Sequence, residues 1–429
     1  METLKYLSLL VVIALAAAAA LLPVPDAPEP AAQPAAEETP VAVCAIEEGS
    51  GRTSELSVLS TVDGPVALTL FASGDTAGSI THTTGASGSV VIPIVDVAAV
   101  GTVGGLVEMP TAASAAGVTV VGAGSLSDEA CAASPEAESF LTGATTAGGR
   151  TFSLHMMNPY AGEAIVELTV QSEAGIESNA RFESVIVPPR SSTIRDFTEL
   201  VPGRETLSVT IETTKGRVVA VGRQGVAGES AVWRAIPAQQ DWFIPVPRSP
   251  GLRNIVIGTP QAADVEYQVD VYGSGGLDEA LITGTIESRG QVVVALEEFG
   301  EEPIGVRVVS TGPVVPTLWM ESEAGLGVTT ASAVPANRWL LPGAGAPIDG
   351  WATVVIMNVG IDASVVSVRP LREQTELRSI VLEADSVLEL AIEQADGYLV
   401  ESVGEAVVLW SSHRDSASSA AIGVPLFDE

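Results

Sequence analysis

The chain has 429 residues, a length that ordinary domain sizes divide into three or four domains. Its 53 acidic residues outnumber 20 basic ones, for a net charge of −33, and only Lys5 and Lys215 are lysines. Such a surface repels phosphate backbones, so no nucleic-acid partner is expected. Hydrophobic residues make up 46 % of the chain but aromatics only 4 %, so the cores are built from Val, Ile, Leu and Ala, a composition that suits strands.

The chain opens with Lys5 and an uncharged apolar run, Tyr6 to Leu22, ending at Pro23-Val24-Pro25. Residues 1–23 read as a hydrophobic helix, either a signal peptide or an uncleaved membrane anchor. With Lys5 at the cytoplasmic end, either reading places the rest outside the membrane. Residues 24–40, rich in Pro, Ala and Glu, cannot bury a core and form an extended spacer.

A first β-sandwich module is expected over 41–135. It is dense in small residues, and its strands include Leu56 to Leu59, Val66 to Phe71 and Val118 to Val121. The chain's two cysteines, Cys44 and Cys131, bracket it. In an exported protein this pair suggests a disulfide, which would stabilise a loop of that length by roughly 4–5 kcal/mol. A metal pair is disfavoured, because no ligand-spaced histidine accompanies either cysteine.

Three further modules follow, at 136–238, 239–336 and 337–429. Trp242-Phe243-Ile244-Pro245 and Trp339-Leu340-Leu341-Pro342 open the last two. A strand then closes at Asn158-Pro159, Thr259-Pro260 and Asn358-Val359 in successive modules. A period of about 100 residues is too long for a solenoid and fits tandem Ig-like or fibronectin-III-like sandwiches. The fold class is therefore all-β, with four bead-like modules after the N-terminal helix.

Catalytic signatures are missing from the sequence. The histidines are His82, His155 and His413, with no His-Glu-x-x-His pair, and there is no Gly-x-Ser-x-Gly elbow. Ser411-Ser412-His413-Arg414-Asp415 holds triad residue types, but they are adjacent on one strand, where neighbours face opposite ways. Gly273-Ser274-Gly275-Gly276 lies between strands and reads as a hairpin loop. No Asp-x-Asp-x-Asp-Gly calcium loop occurs, and no metal or cofactor is expected. The six tryptophans fall near module ends and read as packing residues. The sharper alternative makes Trp242 and Trp339 stacking platforms for sugar rings.

The export segment, the spacer, the early cysteine pair, the Trp-x-x-Pro openings and Asn158-Pro159 together resemble an uncharacterised family of secreted or membrane-anchored actinobacterial proteins. The resemblance implies a cell-surface role, because the family's genes often lie near those of envelope glycosyltransferases, and it transfers no active-site residue. The expected function is a non-catalytic, extracytoplasmic scaffold of the cell envelope with a glycan or protein partner. The alternatives are a glycan-binding array or a polysaccharide-active enzyme, the latter needing two carboxylates suitably spaced in a cleft.

Overall fold

The computed structural model describes residues 40–429 apart from 47–51, 73–74, 84–87, 95–101, 123–124, 227, 274–275, 324, 346–349, 372–377, 415–416 and 428–429. The hydrophobic segment and nearly all of the spacer lie outside the described residues. No helix among the described residues is long and apolar enough to cross a membrane.

The chain is almost entirely antiparallel strand. The first sandwich holds β1 (Val41–Ala45), β2 (Arg52–Ser60), β3 (Pro65–Ala72) and β4 (Asp75–Thr83). β5 (Ser89–Pro93), β6 (Thr102–Glu108), β7 (Ser114–Gly122) and β8 (Ser125–Ala130) complete it. The second holds β9 (Glu138–Ala144), β10 (Thr151–Asn158), β11 (Ala164–Ser172), β12 (Gly175–Glu177) and β13 (Val185–Val187). β14 (Ser191–Asp196), β15 (Leu207–Lys215), β16 (Val219–Val226) and β17 (Glu229–Arg234) follow. The third comprises β18 (Gln239–Val246), β19 (Leu252–Gly258), β20 (Val265–Gly273), β21 (Gly276–Ile286), β22 (Gln291–Ala295), β23 (Ile304–Ser322) and β24 (Gly325–Thr330). The fourth comprises β25 (Ala336–Pro342), β26 (Gly350–Asn358), β27 (Ser364–Pro370) and β28 (Arg378–Leu382). It ends with β29 (Val387–Ile392), β30 (Gly397–Arg414), β31 (Ala417–Ile422) and β32 (Val424–Pro425).

One strand order recurs four times. The first sandwich pairs sheet β1-β6-β3-β4 with sheet β5-β2-β7-β8, and the second pairs β9-β15-β11-β12 with β14-β10-β16-β17. In the third, the long β23 serves both sheets: its first half pairs with β18 and β20, its second with β19 and β24. β30 does the same in the fourth. The alternating Val, Ile and Leu of these strands fill the space between sheets, as with Leu56, Val58, Leu68 and Val107 in the first sandwich. Burying each such side chain stabilises the fold by roughly 1.5–3 kcal/mol.

The residue that ends each second strand fixes the turn after it. Asn158 Nδ2 donates to the carbonyls of Gly162, Val187 and Pro188, and its Oδ1 accepts the Tyr160 N–H. Asn358 repeats this with Asp362, Leu382, Glu383 and Gly360. Thr259 and Ser60 do it more simply, each accepting the N–H two residues on.

The four sandwiches do not stand apart as separate beads. The last strand of each pairing set, β8, β17, β24 and β31, meets its counterparts: β8 packs on β17, β17 on β24, β24 on β31, and β31 back on β8. The circuit closes the chain into a ring around a hub. The hub strands are rich in Ser, Ala and Gly, so backbones approach closely, and β8, β24 and β31 are buried along their whole length. Every joint carries a contact. Glu129 pairs with Arg234 at 2.7 Å, Glu229 takes the Leu326 N–H, and Gly327 lies against the Ser419–Ala420 backbone. Ser419 donates to Asp128. Away from the hub, the rims interlock through glycines. A Cβ on Gly104 would fall 2.5 Å from Met157 Sδ, and one on Gly305 2.8 Å from Met357 Sδ.

Candidate functional site

Ring closure creates grooves at junctions between sandwiches. The outer face of one sandwich's second sheet forms a floor, and the loop after the first strand of the preceding sandwich forms a roof. A groove of about 690 Å³ lies where the fourth sandwich meets the first. Its floor is a register row of three strands: Glu55 on β2 stands opposite Thr119 on β7, which stands opposite Asp128 on β8. Thr53, Ser57, Val121 and Leu126 flank that row. Gly343 and Gly345 cross above it with Gln394 and Asp396, and Arg414 closes one side. Gly343 has φ +80°, and a Cβ there would meet Thr119 Oγ1 at 3.1 Å, so glycine permits both the turn and the close crossing.

Asp128 is 2 % exposed. Burial pushes its carboxyl up from the ordinary range, against hydroxyls that favour the charged form. Those are Ser419, Thr119 at 2.6 Å, and Ser412. Asp396 accepts a hydrogen bond from Ser89 Oγ at 3.1 Å, a second tie between the first and fourth sandwiches.

Its counterpart at the second–third junction encloses about 420 Å³. Arg150 forms a bidentate pair with Glu321 at 2.8–2.9 Å and lies over Trp319 at 5.5 Å. At the third–fourth junction a polar line runs across the sheet. Thr353 Oγ1 contacts Glu389 Oε1 at 3.0 Å and Ser411 Oγ at 3.1 Å, and Ser411 Oγ lies 3.3 Å from His413 Nε2. His413 stacks on Trp351, centroids 3.7 Å apart. Ser411 and His413 are two residues apart and so share a face, which brings together two of the triad residue types. Ser411 is fully buried, His413 Nδ1 has no acceptor, and burial lowers the imidazole to about 4. That leaves the serine without a reachable surface and, among the described residues, the imidazole without an orienting carboxylate. Asp415 lies outside the described residues.

Cys44 and Cys131 form a disulfide that ties β1 to the residue following hub strand β8. Trp242 and Trp339 are 2 % and 0 % exposed, which corrects the reading of them as sugar-stacking platforms. Each indole N–H is spent inside its own sandwich, Trp242 on the Gln239 and Val314 carbonyls and Trp339 on those of Ala336 and Ala406. The exposed indole is Trp351, at 51 %. Asp128, Glu55 and Arg414 carry no role that the sequence alone assigns. The one signal was the adjacent acid pair Asp128-Glu129 in a strand of small residues.

No curated protein matches the chain in sequence. Among solved structures, a tetra-tandem repeat from the extending region of a large adhesion protein is similar over 90 % of this chain and 99 % of that one. Identity is 13 % and the TM-score 0.12, a level at which the likeness carries no argument. The family of unknown function DUF5719 matches residues 96–325. That span runs from the first sandwich into β24 and covers more than half of the sequence, and on it this chain belongs to the DUF5719 family.

Proposed function

We propose that this protein is a non-catalytic, extracytoplasmic scaffold of the cell envelope, which presents its junction grooves and rim loops to an envelope glycan or protein. The observation that carries the reading is the closed ring. Four sandwiches locked by buried hub contacts make a rigid frame, and rigid frames with variable loops serve as contact surfaces. The disulfide supports an oxidising compartment, and the surplus of negative charge supports solubility there. The apolar run at residues 6–22 supports export or anchoring.

The test incubates the intact protein with isolated envelope polysaccharide and envelope protein fractions. Co-sedimentation without release of soluble fragments is expected. Fragment release would replace the scaffold with an enzyme. One observation favours a glycan as the partner: Trp351 is half exposed and held flat by the imidazole behind it, as a sugar-stacking ring requires. Loss of polysaccharide binding in Trp351→Ala would select that partner, and unchanged binding would select a protein.

A further inference from the structure

We propose that the closure groove between the first and fourth sandwiches binds a small zwitterion, a molecule with one carboxylate and one primary ammonium such as a dipeptide. The inference goes beyond the scaffold reading and does not depend on an envelope partner. Arg414 is the starting point. Several arginines here find a carboxylate, as Arg150, Arg234 and Arg307 do. Arg414 is half buried, lines this groove, and has no ion-pair partner among the described residues. A guanidinium so placed suits a ligand carboxylate, which it can hold through two parallel hydrogen bonds.

The rest of the lining sets the other half of the ligand. Glu55 carries no ion pair among the described residues, and Asp396 and Asp128 complete three carboxylates around the same space. They repel a ligand that is wholly anionic. A simple cation would leave Arg414 unsatisfied. A molecule with both charges answers both ends, its ammonium toward Glu55 and Asp396 and its carboxylate toward Arg414.

Two hydroxyls support a built site rather than a solvated acidic face. Ser412 is 3 % exposed, lines the groove and has its hydroxyl directed to the Asp128 carboxyl, which fixes that wall. Ser57 is 5 % exposed and lies on the same floor. The volume, about 690 Å³, falls within the roughly 300–1,000 Å³ of small-molecule sites.

The experiment is calorimetric titration of the intact protein with alanyl-alanine, its N-acetyl form, its C-terminal amide and the doubly blocked form. The free dipeptide is expected to bind, and blocking either end to weaken it by about tenfold or more. Arg414→Gln should abolish the advantage of a free carboxylate, and Glu55→Gln should reduce that of a free ammonium, with circular dichroism of both variants unchanged. Equal binding of free and doubly blocked dipeptides, no binding at millimolar concentration, or affinity untouched by Arg414→Gln would each overturn the proposal. Envelope-fraction binding that fails while dipeptide binding persists would count against the scaffold reading alone.

Discussion

Ser419 donates a hydrogen bond to Asp128, although 291 residues of chain separate them. This contact joins the two ends of a four-sandwich circuit, and the carboxylate that receives it is almost wholly buried. Asp128→Ala should destabilise the fold by roughly 1–3 kcal/mol, because Thr119 and Ser419 lose their acceptor. Asp128→Asn keeps an acceptor and removes a buried charge, so it should match or exceed the parent at neutral pH. Denaturant unfolding of the two variants checks the ordering. An alanine variant as stable as the asparagine one would show that the closure contact is idle.

Two sets of buried groups make stability depend on pH in opposite directions. Glu129 sits between β8 and Arg234 of β17, and burial raises it to about 7. Its folded form therefore holds a proton that the unfolded form releases, and stability falls as pH rises from about 4.5 to 7. His155 and His413 are lowered to about 4 by burial. Their unfolded forms bind the extra proton, and stability rises with pH from about 4 to 6.5. The parent should show a shallow profile between pH 5 and 6.5. Glu129→Gln should steepen the rise with pH across that window, and His155→Gln should flatten it. Urea unfolding at several pH values reads both, and a Glu129→Gln profile parallel to the parent's would refute the assignment.

The disulfide acts beside the hub. Cys131 follows β8 directly, and Arg234 reaches toward its carbonyl from the second sandwich at 3.5 Å. Serine at both cysteines frees a loop with a sequence separation of 87, and the expected loss is about 4–5 kcal/mol. Hydrogen exchange should then rise first in β1 and β8. Uniform loss of protection across all four sandwiches would instead mean that the ring unfolds as one unit.

The sandwiches were legible in the sequence because their cores obey a period of two, and because Asn158, Thr259 and Asn358 each end a strand by satisfying the turn that follows. The ring was not. Its joints are made by β8, β17, β24 and β31, whose Ser, Ala, Gly and Thr are selected for close approach and carry no hydrophobic alternation. Trp242 and Trp339 were ambiguous for a related reason. An indole that packs a core and one that stacks a sugar look alike until its N–H partner is known, and here the partners are carbonyls of the same sandwich. Arg414 and Glu55 are far apart in sequence, and only closure of the fourth sandwich onto the first brings them to one cavity.

The matched asparagines make a prediction of their own. Asn158 and Asn358, fully buried, each share two Nδ2 hydrogens among three carbonyls and accept one N–H. Alanine at either position strands several backbone groups, and a loss of roughly 2–4 kcal/mol is expected from the unpaired carbonyls. Aspartate should be no better, since it cannot donate to carbonyls. Equal losses at both sites would show that the two turns are energetically equivalent as well as alike in geometry. Losses below 1 kcal/mol would mean that water replaces the amide.

Trp351 offers a direct optical view of the third–fourth junction. Trp233, Trp242, Trp339 and Trp410 are at most 2 % exposed and Trp319 is 6 % exposed, so a soluble quencher should reach one indole. That indole stacks on His413, whose imidazole is neutral above about 4. Protonation places a cation against the ring face, and the quenchable part of the emission should change as pH crosses that value. Trp351→Phe should remove both the quencher-accessible fraction and the titration, and His413→Gln should remove the titration alone. A titration that survives His413→Gln would place the responding group elsewhere and with it reject the stacked pair as a rigid platform.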